Sequence, residues 1–420
     1  MTKIDDVFAR EILDSRGFPT IESEVRLDDG TLGKGASPAG ASVGSHEAIE
    51  LRDNDPSRRM GLGVLKAVEN VNTVIKDSIV GMEAEEQEKI DTAMITVDGT
   101  DNKSRIGANS ILSVSIAVAN AVAKSKSAPL FIYLKDLAKP YGVQAETPKL
   151  PTPIFNLING GKHGYGSLDF QEFQIIPSPQ KSYSDALSLG IEVYQSLGRL
   201  LKDRKIVHSV GDEGAYAPNI FTNKEAFKTI AEAVSRTSYK IKVDYSYGLD
   251  VASNTFFKND VYSIKDHSEP LTTTGLIEYF EKLNEEYPLG YLEDAISEDD
   301  WEGWQELNQK FSGKMTVFGD DLIATNPERL SKAVEIKACG GVLIKPNQIG
   351  TLSETFKVIK IAKDANMKVA ISHRLGETTD AFIADLAVAV AADYVKFGAP
   401  VRGERVVKYN RLLQIESKIQ

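Results

Sequence analysis

Four apolar runs in the second half of the chain each end in a charged residue. Three of them end in a carboxylate, at Asp250, Glu293 and Asp320, and the fourth ends in Lys345. A strand that is covered on both faces reads as a short continuous apolar run, so these runs predict buried parallel strands with a charge at each carboxyl end. An α/β barrel builds its active site at that end of its strands. Three acids and one amine on a common rim indicate metal-assisted removal of a proton next to a carboxylate.

The three acids predict a magnesium site. Carboxylates are hard oxygen donors that suit magnesium and suit zinc or copper poorly. One such acid alone is more often a loop residue or a helix cap, but three at successive strand ends favour a shared ion. Cys339 is the only cysteine, which excludes a Cys-based zinc cluster and an intramolecular disulfide. Its small, apolar surroundings predict a buried side chain rather than a nucleophile.

Candidate residues for proton transfer accompany the predicted ion. Lys345 follows an apolar run, so burial would lower its pKa while neighbouring carboxylates would raise it. As a general base it must be neutral in the reacting state. Glu172, and Glu213 in a glycine-flanked loop, could each act as a general acid. The alternative for all three is an ordinary charge that faces solvent.

Basic residues after later runs could bind an anionic ligand. His373, Arg374 and Lys396 each follow an apolar stretch, and an arginine fork suits phosphate or carboxylate. His163 lies in a glycine-rich loop that can approach a ligand closely, although a single loop histidine is more often structural. The glycine-rich stretches lack the spacing of nucleotide-binding motifs, and the one at 33–35 lacks the P-loop pattern.

The spacing of these residues indicates the elements that hold them. From Glu293 onward they recur every 23 to 28 positions, which is about one strand–helix unit each. The preceding segment is irregular: strands at 154–158 and 172–176 suit an antiparallel hairpin, and helical patterns follow at 184–202 and 223–236 with no obvious strand between them. We therefore predict an α/β barrel. An open doubly wound sheet with the same spacing is the alternative.

The first third of the chain predicts a separate small domain. A β-meander is expected at 8–13, 20–27 and 31–36, followed by helical patterns at 64–79, 84–94 and 108–124. A polar, proline-containing stretch at 139–153 predicts the link between domains. Because 420 residues exceed a usual single core, we expect an α+β capping domain at 1–138 and a catalytic barrel at 139–420.

Charge and hydropathy limit the partners. A formal net charge of -11 argues against nucleic acid or an anionic membrane as the main partner, but it permits an anionic small ligand at a local basic cluster. The first ten residues lack the apolar stretch of a signal peptide. The longest apolar region, 111–122, is too short and too polar to span a bilayer. We expect a cytoplasmic protein without a membrane span.

These motifs together resemble those of the enolase family, and the resemblance runs nearly end to end. No single segment is specific, but their joint occurrence is. The matching segments are ILDSRG at 12–17, GAS at 40–42, EAIELRD at 47–53, NGG at 159–161, QEF at 171–173, GDEG at 211–214, LDVA at 249–252, GDDL at 319–322, KPNQIGT at 345–351 and SHR at 372–374.

The resemblance implies a fold and a reaction. In the family, a small α+β domain precedes a (β/α)8 barrel with an irregular β-β-α-α start. The activity is the reversible, magnesium-dependent dehydration of 2-phosphoglycerate, a phosphorylated 2-hydroxy acid, to phosphoenolpyruvate in glycolysis and gluconeogenesis. Two magnesium ions per site are expected, the second arriving with the substrate. Members are usually homodimers and some are octamers, and the resemblance permits a cell-surface fraction besides the cytoplasmic one.

The resemblance also implies roles by position. Lys345 resembles the base that removes the C2 proton, and Glu213 resembles the acid that helps the C3 hydroxide leave, with Glu172 supporting it and His163 completing the catalytic set. The first magnesium would be held by Asp250, Glu293 and Asp320, and Ser42 would help to bind the second. The positions that match substrate contacts are Gln171, His163, His373, Arg374, Leu375 and Lys396.

Several positions depart from the family pattern. Leu375 stands where the family usually has a serine whose hydroxyl meets the phosphate, and losing such a bond costs about 1–3 kcal/mol. Val43 replaces threonine, Ala215 glycine, Ala295 proline and Phe18 asparagine. Because no proposed metal or proton-transfer residue is missing, we expect catalysis to survive. The alternatives are a related phosphonate or other 2-hydroxy acid as substrate, and a non-catalytic binding role on the same scaffold.

Overall fold

The computed structural model describes residues 2–40, 46–164 and 166–419. Its first part contains a three-stranded antiparallel sheet of β1 (Ile4–Leu13), β2 (Pro19–Leu27) and β3 (Leu32–Ser37), in that order. The predicted meander is confirmed, with β1 beginning earlier than expected because Ile4 and Val7 also bury their side chains.

Helices follow this sheet in the chain. They are α1 (Leu65–Asn70) and α2 (Lys76–Ile79), joined through a π-helical turn at Val71–Ile75, then α3 (Gln87–Asp98), α4 (Ala108–Ser125) and α5 (Leu130–Ala138). Helix α4 approaches β3 closely, since a Cβ added at Gly33 would lie 2.2 Å from the carbonyl oxygen of Ala117. Close helix–sheet packing therefore accounts for the glycine-rich stretch at 33–35. Helix α5 lies outside the helical patterns predicted from the sequence.

A closed barrel of eight strands forms the second part, and neighbouring strands follow one another in chain order. The barrel strands are β4 (Thr152–Asn159), β5 (Glu172–Pro177), β6 (Tyr245–Asp250), β9 (Leu289–Glu293), β10 (Thr316–Gly319), β11 (Gly341–Ile344), β12 (Lys368–Ser372) and β13 (Tyr394–Lys396), while β7 (Phe257–Lys258) and β8 (Val261–Tyr262) form a small hairpin outside it. Strand β5 runs antiparallel to both its neighbours, and the other neighbouring pairs are parallel. The barrel is confirmed, and the open doubly wound alternative is wrong.

The reversal of β5 matters for the site. Because β5 is antiparallel, its first residue lies beside the carboxyl ends of β4 and β6, and Glu172 pairs with Asn159 on one side and with Asp250 on the other. Asp250 pairs in turn with Glu293 on β9. The irregular start thus adds an acid to the rim that a parallel strand would have placed at the opposite end.

The six barrel helices between Tyr183 and Asp364 are amphipathic and capped by a side chain at their first turn. The barrel helices are α6 (Tyr183–Asp203), α7 (Asn223–Ser235), α8 (Thr273–Glu286), α9 (Trp301–Phe311), α10 (Pro327–Ile336), α11 (Leu352–Asp364), α12 (Phe382–Ala389) and α13 (Gly403–Ile419), and short 3₁₀ turns lie at Arg59–Gly61, Lys139–Tyr141, Ser253–Thr255 and Pro346–Gln348. The Thr351 hydroxyl accepts the Glu354 N–H at the start of α11, which is a helix N-cap bond. The irregular start is complete, since α6 and α7 follow each other without an intervening barrel strand.

Polar bonds attach the first part to the barrel. The buried Asp91 carboxylate on α3 accepts the N–H and the hydroxyl of Ser353, on α11, at 3.0 and 2.6 Å. Lys103 donates to Glu354 at 2.8 Å. These bonds join residues far apart in sequence and fix α3 and α11 relative to each other. The domain boundary at 138/139 itself remains a prediction.

Large side chains fill the barrel interior below the rim. The interior cluster consists of Ile154, Ile176, Tyr291, Phe318, Leu343 and Ala370, with Tyr394 packed against it. Cys339 is buried, as predicted. Within the described part of the chain, we find no helix with the length and apolar character that crossing a membrane requires.

Candidate active site

A cavity of about 270 Å³ opens at the rim where the predicted site residues meet. Its walls come from the ends of the barrel strands and the loops that follow them. The predicted residues that line it are His163, Gln171, Glu172, Glu213, Asp250, Asp320, Lys345, His373, Arg374, Leu375 and Lys396. The fold therefore brings together residues spread over more than half of the sequence.

Lys396 stands among three carboxylates at the floor of the cavity. Its Nζ donates to Asp250 Oδ2 at 2.9 Å and to both oxygens of Glu293 at 2.8 and 2.9 Å, and it lies 3.1 Å from Glu172 Oε2. Burial would lower the pKa of Lys396, but these acids outweigh it and raise that pKa well above its usual value. Lys396 is thus held as an ammonium.

Several buried carboxylates lie close together at the floor of the cavity. Burial, followed by Glu172, raises the pKa of Asp250, although Lys396 opposes this. Burial and Asp250 raise the pKa of Glu293 well above its usual value. Carboxylates this close repel one another in a medium of low polarity, so the site favours a cation among them.

Lys345 points towards Asp320 at the rim. Its Nζ contacts Asp320 Oδ2. Burial would lower the pKa of Lys345, but Asp320 raises it overall. The reciprocal effect holds for Asp320: burial would raise its pKa, but Lys345 and Lys396 lower it. In this arrangement the pair is an ion pair, with the proton on the amine.

The second carboxylate oxygen of Asp320 could serve as a metal ligand. Its Oδ1 is buried and has no hydrogen-bond partner among the described residues. Asp320 lies close to Asp294 and Asp321, and one oxygen from each falls within 4.8 Å of the others. Both Asp294 oxygens accept backbone N–H groups, from Asp320 and Asp321, at 2.9 Å. Asp294 therefore holds the loop in place, and Asp320 retains a free ligand atom.

A histidine and two acids form the opposite wall. His163 Nδ1 lies 3.1 Å from Glu213 Oε2 and 3.3 Å from Glu172 Oε1, and Asn156 donates to Glu213 Oε2 at 3.0 Å. Burial would lower the pKa of His163, but the two carboxylates raise it to about 10. Burial would likewise raise the pKa of Glu213, but His163 lowers it strongly, with smaller contributions from Arg405 and Lys396. The proton of this pair resides on His163.

This pair predicts a pH-dependent stability. Because the pKa of His163 rises from 6.5 to about 10 on folding, its contribution is complete below pH 6.5 and disappears as the pH rises through 10. We expect His163→Gln to lower the free energy of unfolding by about 2–4 kcal/mol at pH 6 and by less than about 1 kcal/mol at pH 10. Urea unfolding at pH 6, 8 and 10 measures this difference.

The exposed His208 supplies the matched control for this experiment. His208→Gln should change the free energy of unfolding little at any of the three pH values. A deficit in His163→Gln that stays constant from pH 6 to pH 10 would contradict the ion pair.

His373 is held neutral. Arg405 Nη1 donates to His373 Nδ1 at 2.6 Å, so the ring carries its hydrogen on Nε2, which lies 3.3 Å from Glu213 Oε1. Burial and the positive charge of Arg405 lower the pKa of His373 well below its usual value. His373 is therefore a neutral donor aimed at Glu213.

Arg374 and its neighbours form the side of the cavity that suits an anion. The Arg374 guanidinium donates two hydrogen bonds to the Glu47 carboxylate, from Nη1 to Oε2 at 2.8 Å and from Nη2 to Oε1 at 3.2 Å. The side chain of Leu375 lines the cavity, and its carbonyl already accepts bonds from Arg405 and Ser15. The departure at 375 thus places an apolar side chain on this wall. Gln171 donates to Asp250 at 3.3 Å.

Four residues that organise the site were missed by the sequence reasoning. Arg405 is fully buried and bonds the backbone at Arg374 as well as His373. Thr325 accepts the Lys345 N–H at 3.0 Å, and Asp294 and Glu47 fix neighbouring segments. In the sequence, Arg405 and Glu47 look like ordinary charged residues of a helix or a loop. Only Asp294 could have been recognised as a site residue from the sequence, because it follows Glu293 directly. Ser42 and Val43 lie outside the described residues.

The fold and the rim cavity together define the class of protein, an α/β barrel with a charged site at the carboxyl end of its strands. A closed barrel with one antiparallel strand carries acids, lysines and an arginine around one cavity at its rim. The family model "Enolase, N-terminal domain" matches residues 4–134, and the model "Enolase, C-terminal TIM barrel domain" matches residues 147–420. The chain belongs to the enolase family.

Proposed function

We propose that this protein is a magnesium-dependent enolase that converts 2-phosphoglycerate to phosphoenolpyruvate reversibly. One observation carries the proposal: Lys345, paired with Asp320, faces the same cavity as the His163–Glu213 pair. A candidate base and a candidate acid therefore meet around one space lined by acids and cations. The family match supports lyase chemistry of this kind.

The donor chemistry of the residues present suits a magnesium ion. Asp250, Glu293 and Asp320 supply hard oxygen donors, and the buried Oδ1 of Asp320 has no partner among the described residues. We propose that these three would hold the first ion and that Ser42 would help to bind a second. When bound, the ions would stabilise the negative charge that develops on the substrate carboxylate.

Lys345 is the proposed base. Its Nζ would take the C2 proton of the substrate, which requires a neutral amine. The contact with Asp320 raises the pKa of Lys345, so Lys345 becomes a base only after its ammonium leaves this ion pair and releases one proton to solvent. The backbone bond from Lys345 to Thr325 keeps the lysine on the rim meanwhile.

The acid is the His163–Glu213 pair. The departing C3 hydroxide needs a proton. Glu213 by itself cannot supply one, because His163 lowers the pKa of Glu213 and keeps its carboxyl group ionised. We propose that the proton which the pair holds passes to the hydroxide, which leaves as water. Glu172, 3.3 Å from His163, would support the pair by keeping the histidine charged beforehand.

The cations of the cavity are proposed to bind the substrate. Lys396 would donate to the carboxylate as its charge grows, and such preorganised donors commonly contribute 10²–10³-fold or about 3–4 kcal/mol to catalysis. Arg374 and His373 would bind the phosphate end, together with Gln171. Arg374 is fixed by Glu47, so its guanidinium is held in place for a phosphate.

An assay with 2-phosphoglycerate and magnesium tests the function. We expect absorbance from the enol phosphate to rise with time, and we expect chelation of the metal to stop it. If folded, magnesium-loaded protein produces no enol phosphate and consumes no phosphoenolpyruvate in reverse, the proposal is wrong.

A second candidate is a related enzyme acting on a phosphonate or another 2-hydroxy acid. The apolar side chain of Leu375 on the anion-binding wall favours it. On this reading, Leu375→Ser should lower the KM for 2-phosphoglycerate by about tenfold, because it restores a hydroxyl donor. Steady-state kinetics with both substrate types measure the effect.

Leu375→Ala separates the hydroxyl from the loss of bulk in that experiment. If alanine helps as much as serine, space and not hydrogen bonding limits the site. Efficient and selective turnover of 2-phosphoglycerate by the unaltered protein would exclude this second candidate. The homodimeric or octameric state and the cytoplasmic location remain predictions.

A further inference from the structure

We propose that Tyr291 and Gln174 are positioning residues, which form a layer of neutral donors beneath the carboxylates and fix the orientation of Glu293 and Glu172. This inference extends the proposed function and rests on it, because the proposed function identifies the ion as magnesium. Its consequence is that Tyr291 governs the affinity of the rim for a divalent cation, while Gln174 governs the acid–base wall.

Tyr291 lies directly below Glu293. It precedes Glu293 by two positions on β9, so both side chains point into the barrel and Tyr291 lies one layer deeper. Its hydroxyl donates to Glu293 Oε2 at 2.5 Å. The ring is buried and packs against Phe318, with 4.4 Å between ring centroids. Because the ring is fixed, the hydroxyl is held at one place under the carboxylate.

Gln174 has the equivalent position under Glu172. It follows Glu172 by two positions on β5, and because β5 is antiparallel it also lies one layer deeper. Its Nε2 donates to Glu172 Oε2 at 2.7 Å. Gly248 on the neighbouring strand makes the room, since a Cβ there would lie 2.8 Å from Gln174 Oε1.

The two donors separate the tasks of the two acids. With Oε2 of Glu172 bound from below, its Oε1 faces His163 at 3.3 Å. With Oε2 of Glu293 bound from below by Tyr291, both Glu293 oxygens face Lys396, at 2.9 and 2.8 Å, beside Asp250. Uncharged donors suit the layer beneath Glu293 and Glu172, since Lys396 already supplies a positive charge there. Groups that hydrogen-bond to a metal ligand on the side away from the metal typically contribute 10–100-fold to metal affinity.

Tyr291→Phe tests the first half of the inference. The variant keeps the ring and removes only the hydroxyl, and isothermal titration calorimetry with magnesium chloride alone should show about 10–100-fold weaker binding. Tyr183→Phe is the matched control, because Tyr183 is also buried and donates to the Tyr409 carbonyl instead; it should bind magnesium like the unaltered protein. Equal affinity in Tyr291→Phe and Tyr183→Phe would overturn the inference.

A second variant covers the case in which Tyr291→Phe folds poorly. Phe318→Leu leaves the hydroxyl in place but removes the ring that aligns it, so magnesium affinity should fall by a smaller factor of about 3–10. Unchanged affinity in folded Phe318→Leu would count against a fixed Tyr291 as the cause.

Gln174→Met tests the second half. Methionine has a similar length but no donor, so we expect magnesium affinity within about threefold of the unaltered protein and a kcat for 2-phosphoglycerate lowered about tenfold, with KM little changed. A loss of magnesium affinity as large as that of Tyr291→Phe would overturn the division of tasks.

The calorimetry uses no substrate, so the two proposals can fail separately. Absent turnover together with weakened magnesium binding in Tyr291→Phe would reject the proposed function and retain the donor layer. Normal turnover with unchanged magnesium binding would do the reverse.

Discussion

Replacing Lys345 by methionine will lower kcat for 2-phosphoglycerate by about 10²–10⁴-fold, because a side chain of similar length but without an amine cannot accept the C2 proton. The KM should change much less, since the proposed role of Lys345 is confined to proton transfer. Exchange of the C2 hydrogen with deuterated solvent measures the proton-transfer step itself. That exchange should fall at least as far as kcat does.

Lys103→Met is the matched control for Lys345→Met. Lys103 is also buried and also pairs with a carboxylate, at 2.8 Å from Glu354 Oε1, but it lies where the first part meets the barrel. We expect it to lower the free energy of unfolding and to leave C2 exchange intact. Retention of C2 exchange in Lys345→Met would remove Lys345 from the role of base.

The rim acids could be predicted because their positions depend on local patterns. A buried parallel strand reads as an apolar run, and the residue after it must lie at the carboxyl end of the barrel. That argument located Asp250, Glu293, Asp320 and Lys345 from sequence. The same logic correctly recognised an irregular start from two strands with no helix between them, and the antiparallel hairpin expected there is confirmed. Only the structure shows that β5 is also antiparallel to β6.

The charge states of the site could not be predicted in this way. Sequence reasoning left the net effect on Lys345 open, because burial and nearby acids act in opposite directions and their balance depends on distance. The contact with Asp320 decides it in favour of a raised pKa. Likewise, nothing in the sequence shows that Lys396 contacts acids contributed by β5, β6 and β9, since these contacts span more than a hundred positions.

Residues that act through other residues were the hardest to find. Arg405 belongs to α13, whose charged residues read as a solvated face, yet its guanidinium is buried and sets the tautomer of His373. Tyr291 and Gln174 read as strand residues within apolar runs. Their polar ends matter only because the closed barrel places them beneath Glu293 and Glu172. Closure is a property of the whole fold and leaves no local signature.

Replacing Lys396 by methionine should damage both stability and catalysis, because this ammonium contacts three buried carboxylates. Removing one partner of a buried ion pair typically costs about 3–5 kcal/mol, and removing a preorganised charge donor costs about 10²–10³-fold in kcat. Urea unfolding and steady-state kinetics measure the two losses. Because a divalent cation can take over part of the charge balance, magnesium should raise the melting temperature of Lys396→Met more than that of the unaltered protein.

Lys408→Met distinguishes the catalytic loss from the structural one. Lys408 is equally buried and pairs with Glu377 at 2.7 Å, so its removal should also cost stability, yet it should spare kcat among the molecules that remain folded. If both variants lose kcat equally, the effect of Lys396→Met reflects general loosening of the barrel end. If only Lys396→Met loses kcat, its ammonium acts on the reaction, and a greater response to magnesium shows that cation and lysine neutralise the same acids.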